Sequence, residues 1–257
     1  MKIHYERAGS GPEVLLLLHG IGSNSRSFRH QLDGLSDAYS VIAWDAPGYG
    51  RSEDPVAPFS LADLADRAVE LLDELQIDSA HVLGLSMGGV VAQLVYHRYP
   101  RRVRSLILAD TNPGGGAVAE PERSERVRQR LDALDRLRPQ GMAEQRAPNL
   151  VRPGAPLELI AELTSIMAEV RPAGYRAAAI ALGNTDLTAK LSTIRVPTLV
   201  IHGEQDRVVP LETARMLAAT IPDARLVIIP DAGHVSNQEQ PSTFNNAVRA
   251  FLQEPRR

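Results

Sequence analysis

The chain contains no cysteine, which removes disulfide bridges, thiolate zinc sites and a cysteine nucleophile together. It fits a reducing compartment. Long apolar runs are missing as well: near the start, Val14 to Leu18 is cut short by His19-Gly20, too soon for a signal peptide or a membrane span. There is no excess of one charge. Lys plus Arg number 28 and Asp plus Glu 31, a balance of −3 that sets up no field to recruit nucleic acid or an anionic membrane. The seven histidines include no His-Glu-x-x-His or comparable cluster, so no metal site is read. A dinucleotide loop fails on spacing, because Ser25 follows Gly20 and Gly22, and Glu53 follows Gly48 and Gly50, where Gly-x-Gly-x-x-Gly needs its third glycine. The expectation is a cytoplasmic protein that works without metal or cofactor and without nucleic acid or membrane as partner.

What is present is an alternation of strand and helix. At 257 residues the chain suits one large α/β domain with an insertion rather than two domains and a linker. Lys2 to Arg7 alternates as a strand, Gly9-Ser10-Gly11-Pro12 turns, and Val14 to Leu18 reads as a strand buried on both faces. A polar helical stretch runs to about Ser36, followed by a buried strand over Val41 to Trp44. Leu61, Leu64, Ala65, Ala68, Leu71, Leu72 and Leu75 recur at helical spacing behind a cap formed by Ser60 and Asp63. Then come a strand before Ser86, a helix from Met87 to about Tyr99 stopped at Pro100, and a strand from Val103 to Ala109.

From Gly114 to about Lys190 the alternation stops. The segment is rich in Arg, Glu, Ala and Pro and reads as helical; the arginines between Arg123 and Arg138 interleave with Glu125, Asp132 and Asp135, as on a solvated helix laced with ion pairs. Strand and helix resume with Pro197 to Ile201, Leu211 to Ala219, Arg225 to Ile229 and a terminal helix from about Ser242 to Leu252. This pattern predicts a mostly parallel central sheet with helices on both faces. Residues 1–113 and 191–257 form the core, and residues 114–190 an inserted helical cap.

The chemistry begins at Gly84-Leu85-Ser86-Met87-Gly88, directly after the apolar run Ala80 to Leu83. A strand that turns sharply into a helix through a serine is a nucleophile elbow. Gly84 and Gly88 lack side chains so that strand and helix can pass close together, and the hydroxyl of Ser86 stands over a helix N-terminus that favours an oxyanion. A serine hydroxyl is a weak nucleophile, so it needs a base in reach and a carboxylate to orient that base. In a parallel sheet those partners belong on loops at the C-terminal strand ends. Asp206, in Gly203-Glu204-Gln205-Asp206, and His234, in Asp231-Ala232-Gly233-His234, sit on two such loops. Asp110 is the rival acid, and Asp231 a weaker one. Backbone N–H groups of Met87 and of Ile21, in His19-Gly20-Ile21-Gly22, are the expected oxyanion donors, with His19 bracing that loop.

Through His19 to Gly22, Asp45-Ala46-Pro47-Gly48-Tyr49-Gly50-Arg51-Ser52, the Ser86 elbow with Gly89, Asp206 and His234, the chain resembles the α/β-hydrolase superfamily over nearly its whole length. Within it, His234-Val235-Ser236-Asn237-Gln238-Glu239-Gln240-Pro241 with Phe244, and Gly174-Tyr175 through Asp186-Leu187, are similar to the 3-oxoadipate enol-lactonases, which open a lactone without a cofactor. The resemblance implies a serine hydrolase acting on a small-molecule carboxylic ester or lactone through Ser86, Asp206 and His234. Carbon–carbon bond hydrolases use the same residue types, and slow-turnover ligand receptors share the fold; both stay open at this point. Acyl and alcohol preference and oligomeric state are not assigned by any motif.

Overall fold

A computed structural model describes residues 1–55 and 59–254. Its centre is a seven-stranded sheet, β1 (Tyr5–Ala8), β2 (Glu13–Leu18), β3 (Tyr39–Trp44), β4 (Ala80–Leu85), β5 (Val103–Ala109), β6 (Thr198–Gly203) and β7 (Arg225–Ile229), in the order β1-β3-β2-β4-β5-β6-β7. β1 runs antiparallel to β3, and every other pairing is parallel. The unbroken apolar runs of β2, β3 and β4 are explained by this placement, since strands covered by helices on both faces need no polar side. Leu15 and Leu17 pack on one face of the sheet and Leu16 and Leu18 on the other, all fully buried.

The first strand is shorter and later than its sequence predicts. Lys2 and His4 pair with the loop after β3 instead, through Glu53 and Ser52, and the carbonyl of His4 accepts the amide of Asp45. The polar stretch after β2 is likewise helical only at its end, in a 3-10 turn over Ser25–Phe28 and in α1 (Arg29–Leu35). Asn24 caps the turn by accepting the Arg26 amide at 3.0 Å, which leaves residues 19–24 as open loop.

The remaining core helices follow the apolar periodicity. α2 (Leu61–Glu74) starts with a capping box in which Ser60 and Asp63 satisfy each other's backbone amides. α3 (Met87–Arg98) is buried almost all round, as expected of the helix that follows the elbow into the core. Between β5 and β6 lie α4 (Glu122–Leu150), α5 (Leu157–Ala168) and α6 (Pro172–Asn184), and no strand among the described residues. α4 breaks at Arg138, whose φ of 58° and ψ of 173° are non-helical. Pro139 disfavours the helical region for the residue before it, so the break is written in the sequence. The chain ends with α7 (Leu211–Thr220), α8 (Ser236–Glu239) and α9 (Pro241–Leu252). No helix of the described residues is long and apolar enough to cross a membrane.

The inserted helices are tied down at defined points. Gly174 of α6 meets Gly48 backbone to backbone, so close that a Cβ on either would overlap the other. Beside it, Arg171 reaches Asp54 Oδ1 at 2.6 Å, the Gly50 carbonyl at 2.6 Å and the Ser52 carbonyl.

Candidate active site

Ser86 stands between β4 and α3 with φ 54° and ψ −119°, a left-handed-side conformation that costs a side-chain-bearing residue of the order of 1–3 kcal/mol and persists only where its surroundings enforce it. The enforcement is visible. Its amide donates to the Ala109 carbonyl at 2.9 Å, and its carbonyl accepts the Gly89 amide at 2.9 Å and the Thr111 hydroxyl at 2.5 Å. A Cβ on Gly84 would overlap the Gly88 carbonyl, and one on Gly88 would overlap the Leu18 carbonyl. Both glycines are therefore required by the crossing of strand, helix and neighbouring strand.

His234 and Asp206 arrive from the ends of β7 and β6. Nδ1 of His234 donates to Asp206 Oδ2 at 2.8 Å, since a carboxylate can only accept, and Nε2 then faces Ser86 Oγ at 2.9 Å with its lone pair free. The Asp206 side chain is sealed from solvent and that of His234 is 6% exposed. Burial draws the Asp206 carboxyl upward, and the His234 hydrogen bond and charge, with the amides of Val208 and Val209, outweigh it and hold the group below the usual carboxylate range.

Asp110 lies directly behind this pair without touching His234. Oδ1 accepts the Gly203 amide at 2.8 Å, and Oδ2 accepts the Ser236 hydroxyl at 2.6 Å and its amide at 3.2 Å. Burial, then the charge of Asp206, pushes its carboxyl up to about 7. The rival acid of the sequence is thus a brace for the two loops that carry Asp206 and His234. Asp231 stays at the surface. Asp110, His202 and Asp206 do gather ligand-type atoms within 4.8 Å of one another, but each carboxylate oxygen is already committed to the hydrogen bonds above or to Val208 and Val209.

On the other side of Ser86 the loop after β2 comes close: a Cβ on Gly20 would lie 3.1 Å from the Ser86 Cβ. Met87 opens α3, in the turn whose amides have no intrahelical acceptor, and Gly20, Ile21 and Gly22 line the same chamber as Ser86 and His234. His19 braces this loop as expected, its Nδ1 donating to the Gly20 carbonyl at 2.8 Å and its Nε2 accepting the Ala46 amide at 3.0 Å. Burial lowers its pKa, which keeps the ring neutral. Asp45 ties the loop to the next one by accepting the amides of Ser25 and Arg51, each at 2.8 Å.

Several residues that matter here were given no role by the sequence, Glu239 among them although it lies in the motif after His234. Glu239 accepts the Gly233 amide at 2.5 Å and the Arg152 amide at 2.9 Å, and the His234 amide donates to the Leu150 carbonyl at 2.7 Å. Arg207, beside Asp206, donates to the carbonyls of Pro148 and Val151 at 2.9 and 3.0 Å. The end of α4 is therefore tied to both triad loops. Arg130 and Arg146 of α4 line the chamber at Ser86, which corrects the reading of the whole arginine-rich stretch as solvated. Arg123, Arg126 and Arg128 do pair with Glu120, Glu122 and Glu125, although Arg123 and Arg126 also line a neighbouring chamber with Ser86; Arg130 has no such pairing among the described residues.

A family model described as the alpha/beta hydrolase fold matches residues 13–241. The 3-oxoadipate enol-lactonase 2 of Acinetobacter baylyi is 33% identical over 247 residues, covering 93% of this chain and 88% of its own length. The 2-hydroxy-6-oxononadienedioate/2-hydroxy-6-oxononatrienedioate hydrolase of Burkholderia vietnamiensis is 30% identical, with 98% and 91% covered. A thermophilic esterase from Thermogutta terrifontis, solved with malate bound, superposes with a TM-score of 0.91 at 31% identity over 98% of this chain and 93% of that one. Matched by the family model over most of its length and by relatives across nearly all of it, the chain belongs to the α/β-hydrolase fold family.

Proposed function

We propose that the protein is a cofactor-independent serine hydrolase that cleaves a small carboxylic ester or lactone through an acyl intermediate on Ser86. One observation carries the reading: the unbroken relay from Asp206 through His234 to Ser86, at 2.8 and 2.9 Å, on a hydroxyl held over the start of α3. In this reading His234 Nε2 takes the Ser86 proton as Oγ bonds to the carbonyl carbon, and the oxyanion rests on the amides of Ile21 and Met87. Asp206 stabilises the imidazolium. Collapse breaks the carbon–oxygen bond, and the leaving oxygen takes the proton from His234. Water, deprotonated by the same nitrogen, then adds to the acyl carbon and releases the acid with the Ser86 hydroxyl restored. Residues 114–190 act as the cap that limits the size of the acyl and alcohol groups.

Steady-state turnover of a short-chain para-nitrophenyl ester tests the reading, with sustained multiple turnover expected. A burst that stalls after one equivalent points to a ligand receptor and overturns it. The second reading is a carbon–carbon bond hydrolase, favoured by the similarity to the Burkholderia vietnamiensis hydrolase at 30% identity. It is distinguished by turnover of a ring-cleavage product in preference to any ester.

A further inference from the structure

Arg130 and Arg146 are the feature of this molecule that the relay at Ser86 does not use. They come from the two halves of α4, before and after the break at Arg138, and meet in one chamber whose wall also includes Ser86, His234, Leu150, Leu163, Ile166 and Met167. No hydrogen bond or ion pair is formed by either guanidinium among the described residues, and Arg146 Nε is buried without a partner. Carboxylates of the same helix are engaged by other arginines, Glu122 by Arg126, Glu125 by Arg128 and Asp135 by Arg176, and none lines the chamber.

The arrangement is costly without an anion. Burial, and next the charge of Arg146, weaken the hold of Arg130 on its proton, while Tyr175 and Tyr49 act in the opposite sense. The hydroxyls of both tyrosines are buried without a hydrogen-bond partner among the described residues, behind the chamber wall and not on it. Two like charges at one chamber wall, one with a buried and unpartnered Nε, both improve when a negatively charged acceptor enters. A guanidinium fork matches the two oxygens of a carboxylate.

We propose that Arg130 and Arg146 form a carboxylate subsite, so that the ester or lactone cleaved at Ser86 carries a free carboxylate elsewhere in its structure. This assignment rests on the serine-hydrolase reading for the reaction, and its binding half can be measured apart from it. Arg130 also lines a second chamber that opens past Met87, Asn112 and Val127. It therefore stands where a substrate extending to either side of Ser86 passes.

The test compares matched esters on wild type, Arg130→Met, Arg146→Met and Arg130→Lys. Mono-para-nitrophenyl glutarate against para-nitrophenyl butyrate places the carboxylate on the acyl side; acetoxyacetate against ethyl acetate places it on the alcohol side. In the wild type the charged ester of at least one pair has the higher kcat/KM. That preference falls about 10- to 100-fold in each methionine variant, the size expected for a lost charge-assisted hydrogen bond, mainly through KM. Arg130→Lys restores part of it. A wild type that prefers the neutral ester in both pairs, or a preference untouched by both methionine variants, overturns the subsite while leaving the hydrolase reading in place.

If no ester is turned over, the hydrolase reading has failed and the subsite is decided by calorimetry of glutarate with Ser86→Ala. Binding that disappears in Ser86→Ala/Arg130→Met/Arg146→Met supports it, and binding that persists there, or no binding to Ser86→Ala, overturns it. Inorganic phosphate binding more tightly than glutarate in the same experiment overturns the assignment to a carboxylate. Far-ultraviolet circular dichroism identifies a variant that has not folded, in which case Arg130→Lys and Arg146→Lys replace it.

Discussion

Asp110 Oδ2 accepts the hydroxyl of Ser236 at 2.6 Å, two positions beyond His234, while its other oxygen holds the Gly203 amide at the root of the loop that bears Asp206. One buried carboxylate thus sets the separation of base and acid. Asp206→Asn is expected to lower kcat/KM by about 10⁴-fold, as loss of the orienting carboxylate does in other triads. Asp110→Asn, which loosens the loops without removing the partner of Nδ1, is expected to cost about 10- to 100-fold. Equal losses, or the reverse order, would show that the acid has been misassigned between the two strand ends.

The same group makes stability depend on pH. Burial and the Asp206 charge push the Asp110 carboxyl up to about 7, whereas in the unfolded chain it titrates near the ordinary value of about 3.9. Between these values the native protein holds the proton that the unfolded chain has lost, so this contribution is complete below about pH 4 and is lost as pH rises through about 7. Urea unfolding of wild type and Asp110→Asn at pH 4.5, 6 and 7.5 checks the sign. Relative to wild type, the asparagine variant gains stability with rising pH; parallel curves contradict the assignment.

Ser86→Ala is expected to remove four to six orders of magnitude of turnover, the range for loss of a triad nucleophile, with little change in the unfolding midpoint. The readout is single and covalent. A fluorophosphonate should label Ser86 alone, and labelling elsewhere, or an alanine variant retaining a few per cent of activity, removes the serine from the mechanism.

Gly88→Ala should be far more damaging to folding than an ordinary glycine-to-alanine change in a helix, which is favourable by about 1 kcal/mol. The added methyl would occupy the space of the Leu18 carbonyl and crowd that of His19 at 2.8 Å, so a loss of about 3 kcal/mol is expected. Denaturant midpoints decide it. A stabilised variant would mean that strand and helix do not cross as closely as described.

Dialysis against a strong chelator is expected to leave the rate unchanged, because the oxygens of Asp110 and Asp206 are all engaged in hydrogen bonds. A rate that collapses and returns with zinc or manganese would assign the Asp110, His202 and Asp206 cluster a ligand role.

That Ser86, Asp206 and His234 come together is legible because each is announced locally: glycines flank Ser86, and Asp206 and His234 each follow a short apolar run. Arg130 is hidden because the alternation of charge along 123–138 does not show which face of the helix a residue shares, and Arg146 lies outside that stretch. Arg123, Val127, Arg130 and Leu134 recur at helical spacing and are among the less exposed positions of that half, as Met142, Ala143, Arg146 and Ala147 are of the other. An arginine on an apolar stripe was the available signal. Leu150 and Arg207 carried none, since backbone contacts made across the fold leave no periodic trace, and Glu239 lies in the motif after His234 without its contacts to Gly233 and Arg152 being readable there. The late start of β1 was hidden for a related reason: what draws Lys2 and His4 away from the sheet is a loop about fifty residues downstream.

The break at Arg138 gives the two halves of α4 independent helical phase. Each residue added to or removed from one half turns its side chains by about 100° about the axis, while the other half, set by its own contacts with the loops of Asp206 and His234, keeps its angle. One inserted codon before Arg138 would therefore swing Arg130 out of the chamber and bring a neighbour in, leaving Arg146 and the sheet-borne relay where they are. Segment length alone, with no substitution in any lining position, is enough to rewrite the charge that a substrate meets.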